Sequence, residues 1–549
     1  VSPSDFLPLD RRNFLRQSAA ALAGACAAAP LAGQSSARGA QPRRSSLIEQ
    51  ENAKPGHDWQ LTRVRLDKDV RGYRSPWIEG YCSQQSVAAG DTLDIMVSTE
   101  PARKFTLEVF RFGYYGGRGA RLVATFGPLE GQVQPIPEVG PRRVRECRWE
   151  PSVRFEIPAD WVSGVYFGRL TTIPVNRYEP YWQSSVIFIV RDRRPADLLF
   201  QCSDNTWQAY NRWPDAYSLY SNPAGVQKSG ADVSFDRPYA QYRQMEMMAP
   251  PTTLGSGEFL YWEFPLCFWL EQHGYDVTYC SNRDMVTPER GMACRTFLSV
   301  GHDEYWDLRQ YHSVQRMIDS GVNALFLSGN SVCFVSPFTD SSDGRPARRI
   351  SRAGRYGGLN AAEAAIGMGP YPIEDAPSEN QLIGARTTIP FDGCGDWVVT
   401  RPEHWIFEGT GMKQGDFIPG LVGWEWHADP ADIPSLQVVA EGVVLSRTGL
   451  WEKTAWRDKV TGTAKDGVIG PEGTLSSGGL TPARWTATIY DGPKGNFVFN
   501  ASTCWWVQGL SMPPGHIQPW DHWCRPHGPD PRVQQITENL LRRGGASRV

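Results

Sequence analysis

The sequence predicts an α/β protein with an all-β domain in front, and three observations lead there. Between residues 61 and 195, short apolar runs alternate with period two and are separated by turn residues, as in Phe105-Thr106-Leu107-Glu108-Val109-Phe110-Arg111-Phe112. After Arg191-Asp192-Arg193-Arg194-Pro195, apolar runs alternate with helical segments, the pattern of a parallel sheet with crossovers. One of those runs, Thr296 to Val300, delivers the polar turn Gly301-His302-Asp303-Glu304-Tyr305-Trp306. Ligands bind at such strand ends in open α/β sheets, and this turn gathers an imidazole, two carboxylates and a phenol.

At 549 residues the chain is longer than one hydrophobic core supports, so two or three domains are expected. The 21 Trp, 20 Tyr and 23 Phe exceed what a plain scaffold needs and point to aromatic-lined pockets or an aromatic domain interface. The formal net charge is -3, and no Lys/Arg-rich tract follows the first 45 residues. Nucleic acid is therefore not an expected partner, because its phosphates demand a basic footprint.

The elements follow in order. Residues 1–40 read as a twin-arginine signal peptide: Asp10-Arg11-Arg12-Asn13-Phe14-Leu15-Arg16 precedes the weakly apolar run Ala19 to Ala29, which is too short to span a bilayer. The expected location is periplasmic or secreted. Cys26 lacks the large aliphatic residue that a lipobox places three positions earlier, which disfavours lipoprotein anchoring. Twin-arginine export carries folded proteins, often with a cofactor loaded, and this favours a metal site. The remaining ten cysteines form no CxxC pair, so zinc ribbons and thioredoxin-like motifs have no support; buried thiols or one or two disulfides stay open.

Residues 41–60 are polar and read as a linker. In 61–195, strands are expected at Thr92 to Val97, Phe105 to Phe112, Arg154 to Ile157, Ser163 to Leu170 and Ser185 to Val190, with a tight turn at Tyr114-Tyr115-Gly116-Gly117. This spacing is that of an Ig-like β-sandwich. In 196–549, strands are expected at Asp197 to Cys202, Tyr275 to Cys280, Thr296 to Val300 and Ala324 to Leu327. Helices are expected over 262–273, Asp307 to Ser320 and Val533 to Arg543, and from about 380 the reading is mixed, with further strands.

Three strand-end loops should converge on one crevice: Ser203 to Trp207, His302 to Trp306 and Ser328-Gly329-Asn330. Polar residues also populate loops for ordinary reasons. Asp303 can serve the turn or cap the next helix, and Trp306 suits packing better than chemistry. His302, Glu304 and Tyr305 are the chemical candidates. A phenol has an unperturbed pKa near 10, so Tyr305 becomes an anionic ligand only beside a strongly Lewis-acidic metal.

These residues also carry a resemblance. Gly301 to Trp306, Tyr261-Trp262-Glu263-Phe264-Pro265, Trp269 to Val277, the Ser328-Gly329-Asn330 loop and Gly495 to Ser502 resemble the catalytic domain of the N,N-dimethylformamidase large (beta) subunit family, and Phe110 to Gly117 resembles the domain preceding it. The resemblance covers most of residues 75 to 545. It implies a class I glutamine-amidotransferase-like α/β domain that holds mononuclear ferric iron through two tyrosinates and one glutamate and hydrolyses a small amide. It places a metal ligand at Tyr305 and the carboxylate at Glu425, in Gly423-Trp424-Glu425-Trp426-His427. The second tyrosine falls at Tyr261, or three residues on, where Phe264 stands. Hard anionic oxygens suit ferric iron. His302 or His427 would move protons to the leaving amine, and Glu304, with Asp303, would shape the turn rather than bind the metal. Asn330 and Asn211 would donate to a substrate carbonyl or oxyanion, with Trp207 in the same crevice. The resemblance leaves room for a small partner subunit or a homo-oligomer.

Two features depart from that pattern: the export signal, and Asp303 where a proline often stands. No Cys occurs from Gly301 to Tyr305, so thiol catalysis at this elbow is disfavoured, and Cys333 reads as a buried apolar residue. The alternative to an iron-dependent hydrolase is a metal-free exported protein whose aromatic crevice holds a carbohydrate or a peptide.

Overall fold

Alternation along the chain sorts the first β-rich stretch into two faces, and both are buried. In the strand Phe105–Phe112, Phe105, Leu107 and Val109 share a core with Tyr166, Leu170, Val186 and Phe188. Phe110 and Phe112, on the other face, join Val165, Phe167, Ile187 and Ile189 in a second cluster with Phe264 and Trp269. Phe112 and Phe264 approach to 4.7 Å between ring centroids. Each ring buried this way contributes roughly 2–3 kcal/mol, so the sheet is held by apolar packing on both sides.

The computed structural model describes residues 46–65, 74–223, 225–226, 231–240, 259–365, 368–388, 393–446, 481–516 and 528–548. The chain divides into two units, Val1–Arg44 and Ser45–Val549, and all described residues belong to the second. The export signal and Cys26 lie outside the described residues. No helix among the described residues is long and apolar enough to cross a membrane.

The protein is mixed α/β, with most of its regular structure in strands, few helices, and no closed barrel among the described residues. A three-stranded sheet (Glu79–Cys82, Thr92–Ser98, Pro151–Glu156) shares its core with a five-stranded sheet ordered Ser86–Val87, Gln183–Val190, Gly164–Thr172, Phe105–Phe112, Ala120–Leu129. The last strand is not expected from the sequence, because as a half-exposed edge it carries little apolar periodicity. In the segment expected as a linker, Leu47–Asn52 is helical. Ser46 accepts from the Glu49 amide (3.1 Å) and donates its own amide to the Glu49 carboxylate (2.9 Å), a capping box that starts the helix.

The second half is built on a nine-stranded sheet. Its parallel part is ordered Val277–Ser281, Ala196–Cys202, Cys294–Gly301, Asn323–Ser328, Phe497–Asn500. Antiparallel strands Thr481–Asp491, Gln437–Ser446, Gly393–Val398 and Phe417–Trp424 extend it. From Ala196–Cys202 the chain steps first to one side and then to the other, so the crevice between the ends of Ala196–Cys202 and Cys294–Gly301 is a topological switch point. Ligand sites lie at such points, and the Gly301–Trp306 turn stands there. The helix after it runs Leu308–Asp319, capped by Asp307, whose carboxylate accepts from the Arg309 amide at 2.8 Å. The expected helix over 262–273 begins differently: Phe259–Glu263 is a π-helical turn, and regular helix runs Phe264–Gln272. Single π turns inside helices recur at functional sites.

The β-rich part is tied to this sheet by a buried ion pair. Both guanidinium ends of Arg111 reach Glu271 at 2.8 Å, and Arg111 also donates to Tyr115 Oη (2.9 Å) and to the carbonyls of Phe112 and Ser163. Every charge in this pair has a partner, the condition under which burial is tolerated.

Candidate functional site

Gly301 ends its strand at φ +71°, which turns the chain away from the sheet. Asp303 then points back inward, where its carboxylate accepts from Asn282 Nδ2 (2.9 Å), Ser299 Oγ (2.8 Å) and Gln201 Nε2. These are side chains on or just beyond three adjacent strands, so Asp303 locks the turn to the sheet through side chains and leaves the helix cap to Asp307. Thr206 Oγ1 accepts from the Glu304 amide (3.2 Å), and the Glu304 carbonyl accepts from the amides of Cys333 and Phe334 at 3.0 Å. Tyr305–Trp306 then pairs in parallel with Phe334–Val335. All three expected strand-end loops therefore meet at this turn.

What they enclose is a cluster of ionisable groups. His302 Nε2 lies 2.7 Å from Glu425 Oε2 and 3.3 Å from Glu304 Oε2. Glu304 accepts from Tyr210 Oη (2.7 Å) on one oxygen and from Tyr220 Oη (3.1 Å) on the other. The hydroxyls of Tyr220 and Tyr305 are in direct hydrogen-bond contact. Asn330 Nδ2 donates to Glu425 Oε2 at 2.6 Å. His302 and Tyr305 are fully buried, and Glu304 and Glu425 are 2% and 7% exposed.

The charge balance of this cluster suits a cation. Burial, reinforced by the neighbouring Glu304, pushes the phenols of Tyr305, Tyr220 and Tyr210 well above their ordinary range. Burial also raises Glu304; His302 opposes that rise and Glu425 adds to it. Burial disfavours the anionic forms even with the Arg352 guanidinium beside Tyr220 and Tyr305, and a metal ion would add the positive charge that favours them. One atom each of His302, Glu304 and Glu425 lies within 4.8 Å of the others, close enough to hold a metal ion. Asn330 Oδ1 is buried without a hydrogen-bond partner beside them. The residues fit a hard cation with carboxylate, imidazole and phenolic donors.

Glu425 reaches the cluster by an indirect route. It follows the edge strand Phe417–Trp424, and its segment crosses the loop after Phe497–Asn500: Thr503 Oγ1 accepts from the Gly423 amide (3.1 Å), and Ser502 Oγ accepts from the His427 amide (2.9 Å). Gly329 must be a glycine for this approach, because a Cβ there would lie 2.2 Å from the Glu425 carbonyl oxygen. Non-glycine residues Asn330, Val332, Trp424 and Ser502 all have φ between +50° and +63° here. Such backbone conformations cluster at functional sites.

The structure therefore brings together His302, Tyr305, Glu425 and Asn330. The other residues singled out from the sequence have different surroundings. His427 Nε2 accepts from the Ser331 amide (3.0 Å), so its Nδ1 carries the proton and donates to Asn500 Oδ1 (3.1 Å); burial holds this imidazole neutral, with its pKa near 3. Trp207 donates to buried Glu263 at 2.7 Å. Asn211 donates to Gln208 and the Pro238 carbonyl and accepts from the amides of Trp213 and Ala240. Tyr261 packs in a cluster with Trp262, Cys504 and Trp505, its ring 5.9 Å from that of Trp262. Phe264 points to the β-rich part, against Trp59 and Phe112.

Tyr210 and Tyr220 are members of the cluster that sequence reasoning does not reach. The signal that could have found them is the spacing of Trp207, Tyr210, Trp213, Tyr217 and Tyr220, three or four residues apart, a helical period that the structure follows only through Asp204–Ala209. What orders that segment is Arg237. Its guanidinium, fully buried, donates to the carbonyls of Gln208, Asn211, Trp213 and Tyr217 and to Gln208 Oε1, at 2.7–3.2 Å. Burial pushes its pKa down to about 9.

A second carboxyl beneath the site yields a pH prediction. Asp204 is 1% exposed, Oδ2 has no partner, and burial raises its pKa to about 8, far above the usual 3.8. The folded state thus binds a proton that the unfolded state releases, so this group's contribution is full below about pH 4 and is lost as pH rises through 8. Asp204→Asn, neutral at every pH, should remove a slope of up to about 1.4 kcal/mol per pH unit. His427 and His516, held neutral by burial, contribute the opposite slope below about 6.5. The difference between variant and parent in urea midpoint from pH 5 to 8.5 isolates Asp204, and a pH-independent difference would refute the assignment.

The sequence profile of the family described as N,N-dimethylformamidase beta subunit-like, C-terminal, matches residues 106–521. No curated protein matches the chain. The matched span begins inside the strand Phe105–Phe112 and includes Tyr220, His302, Glu304, Tyr305, Asn330 and Glu425. Covering well over half of the 549 residues and every member of the buried cluster, the match shows that this chain belongs to the N,N-dimethylformamidase beta subunit-like, C-terminal family.

Proposed function

We propose that the protein is an exported, mononuclear iron-dependent hydrolase of a small amide or related C–N bond. Its two parts are then an Ig-like sandwich (61–195) and an amidotransferase-like α/β domain (196–549). The observation that carries this reading is the burial of His302, Glu304 and Glu425 against two phenols at the switch point of the sheet, in a chain of the dimethylformamidase-like family. Export is supported by Arg11-Arg12 and the run after them, and by Cys394, which is disulfide-bonded, a state favoured outside the cytoplasm.

In this reading Tyr305 and Glu425 hold the iron, with Glu304 and His302 beside them. Tyr220 is proposed as the second tyrosinate in preference to Tyr261, because its hydroxyl already meets that of Tyr305. When bound, ferric iron supplies Lewis acidity toward a carbonyl oxygen or a water. His302 Nε2 accepts the proton that water loses as its oxygen bonds to the amide carbon, and returns a proton to the nitrogen as the C–N bond breaks. Asn330 directs one Nδ2 hydrogen to Glu425 and offers the other to the substrate carbonyl. His427, with both nitrogens engaged, holds the Ser331 loop rather than moving protons. The 0–2% exposure of His302 and Glu304 limits water access and suits a small substrate.

The test is metal analysis of protein purified with iron present. About one iron per chain and a visible tyrosinate-to-iron absorption band are expected. Tyr305→Phe should abolish the band. Tyr220→Phe should shift or abolish it, and Tyr261→Phe should leave it in place. A folded, colourless protein without iron would end this reading and favour the metal-free binding protein.

A further inference from the structure

The two phenols that meet in the cluster come from separate parts of the chain, and one arginine touches the supports of both. The Arg352 guanidinium carbon lies 4.3 Å from the centre of the Tyr220 ring and 5.2 Å from that of Phe334. Phe334 stacks on Tyr305, with 5.7 Å between centroids and 15° between planes. The Tyr220 and Tyr305 hydroxyls close the circuit. Tyr371 gives the guanidinium a third aromatic face at 5.8 Å.

The backbone that presents Arg352 is fixed from two sides. The Ala353 amide donates to the Val335 carbonyl, and the Ala353 carbonyl accepts from the Ile373 amide, both at 2.9 Å. Gly354–Arg355 pairs with Phe334–Val335, which pairs with Tyr305–Trp306. The strand that supports the Tyr305 ring therefore also anchors the segment that carries the arginine. Tyr220, in contrast, lies in an irregular segment: its amide donates to Ser218 Oγ at 3.1 Å, and it precedes the two-residue pairing of Ser221–Asn222 with Gly225–Val226. Its ring rests on Tyr210, stacked at 5.1 Å, and on Arg352.

We propose that Arg352 is the positioning residue of the phenol pair: its guanidinium, held by the Tyr305 strand system, clamps the Tyr220 ring so that the two phenolic oxygens face one cation together. A guanidinium suits this task because its flat face covers an aromatic ring while its charge stays fixed. That charge also stands beside the oxygens that must be anionic when a metal is bound. Lysine reproduces the charge but not the plane; methionine reproduces neither and keeps much of the volume.

This inference rests on the metal-centre reading, so the test separates the two. Crystal structures of metal-free Arg352→Met and the parent protein read the clamp directly. The Tyr220–Tyr305 hydroxyl contact should be lost in the variant, and an unchanged contact would overturn the proposal whether or not the protein holds iron. In iron-loaded protein, Arg352→Met should shift or weaken the tyrosinate band and release iron to a competing chelator at about ten-fold lower chelator concentration, with Arg352→Lys between it and the parent. Parent-like spectra and iron retention in Arg352→Met would also overturn it. Absence of iron from the parent protein would instead refute the metal reading and leave the clamp to be decided by the crystal structures. Should Arg352→Met not fold, Arg352→Lys carries the same comparisons.

Discussion

Glu425→Gln should abolish iron retention and amide hydrolysis while making the metal-free protein more stable. The two effects have opposite signs for one reason. Glu425 Oε2 is the point on which His302 Nε2 (2.7 Å) and Asn330 Nδ2 (2.6 Å) converge, and it is a carboxylate in a buried cluster that already contains Glu304. With a cation present, its charge is the attraction. Without one, it adds to the like-charge repulsion that raises Glu304 and the Tyr210 phenol. Glutamine keeps the shape and an oxygen to accept from Asn330, and removes only the charge. Disturbing groups that merely support a metal ligand costs about 10–100-fold in affinity, so loss of a charged ligand should exceed 100-fold. The gain in metal-free stability should be about 1–2 kcal/mol, the size of about one pKa unit of like-charge repulsion relieved at Glu304. Iron content by elemental analysis and thermal unfolding in chelator measure the two halves. Parent-like iron content in Glu425→Gln would remove Glu425 from the centre.

The sequence carries the sheet well and the site in part, and the reason differs by residue. Strands such as Phe105–Phe112 and Asn323–Ser328 announce themselves through continuous apolar or period-two runs, and Asp307 with the Leu308–Asp319 pattern marks a helix start. The Gly301–Trp306 turn is legible because polar residues directly after a buried strand are conspicuous. Within it, nothing in the linear order distinguishes Glu304 from Asp303. Only the fold shows that the Asp303 oxygens are engaged by Gln201, Asn282 and Ser299, while Glu304 faces His302 and two phenols. Tyr220 shares the helical spacing of the aromatics before it, but regular helix ends at Ala209, and its place is set by contacts to Arg352 and the Glu304 carboxylate that no linear pattern shows. Trp207 and Asn211 stand at the expected strand end, but their polar groups are engaged by Glu263 and by backbone, which no one-dimensional pattern reveals.

Gly301→Ala should be among the most damaging single-methyl changes around the nine-stranded sheet, and the geometry says why. Gly301 adopts φ +71°, where an L-residue costs about 1–2 kcal/mol. Its Cβ would also stand 2.3 Å from Trp262 Cβ and 2.7 Å from the Trp262 carbonyl oxygen. Those atoms are not the far end of a flexible side chain: they belong to the π-helical turn Phe259–Glu263, which is itself buried. Relief requires moving backbone, an overpacking cost of about 1–3 kcal/mol, so a total of about 2–5 kcal/mol is expected. The displacement would reach the chemistry, because the Trp262 ring lies 6.1 Å from that of His302 and 4.8 Å from that of Trp505. Gly90 provides the control. It has φ +82° with nothing within 4 Å of where a methyl would stand, so Gly90→Ala carries the torsional cost alone. Urea midpoints of the two variants therefore separate strain from collision. If Gly301→Ala unfolds no earlier than Gly90→Ala and still holds iron, the close contact between this turn and the π-helical segment does not shape the site.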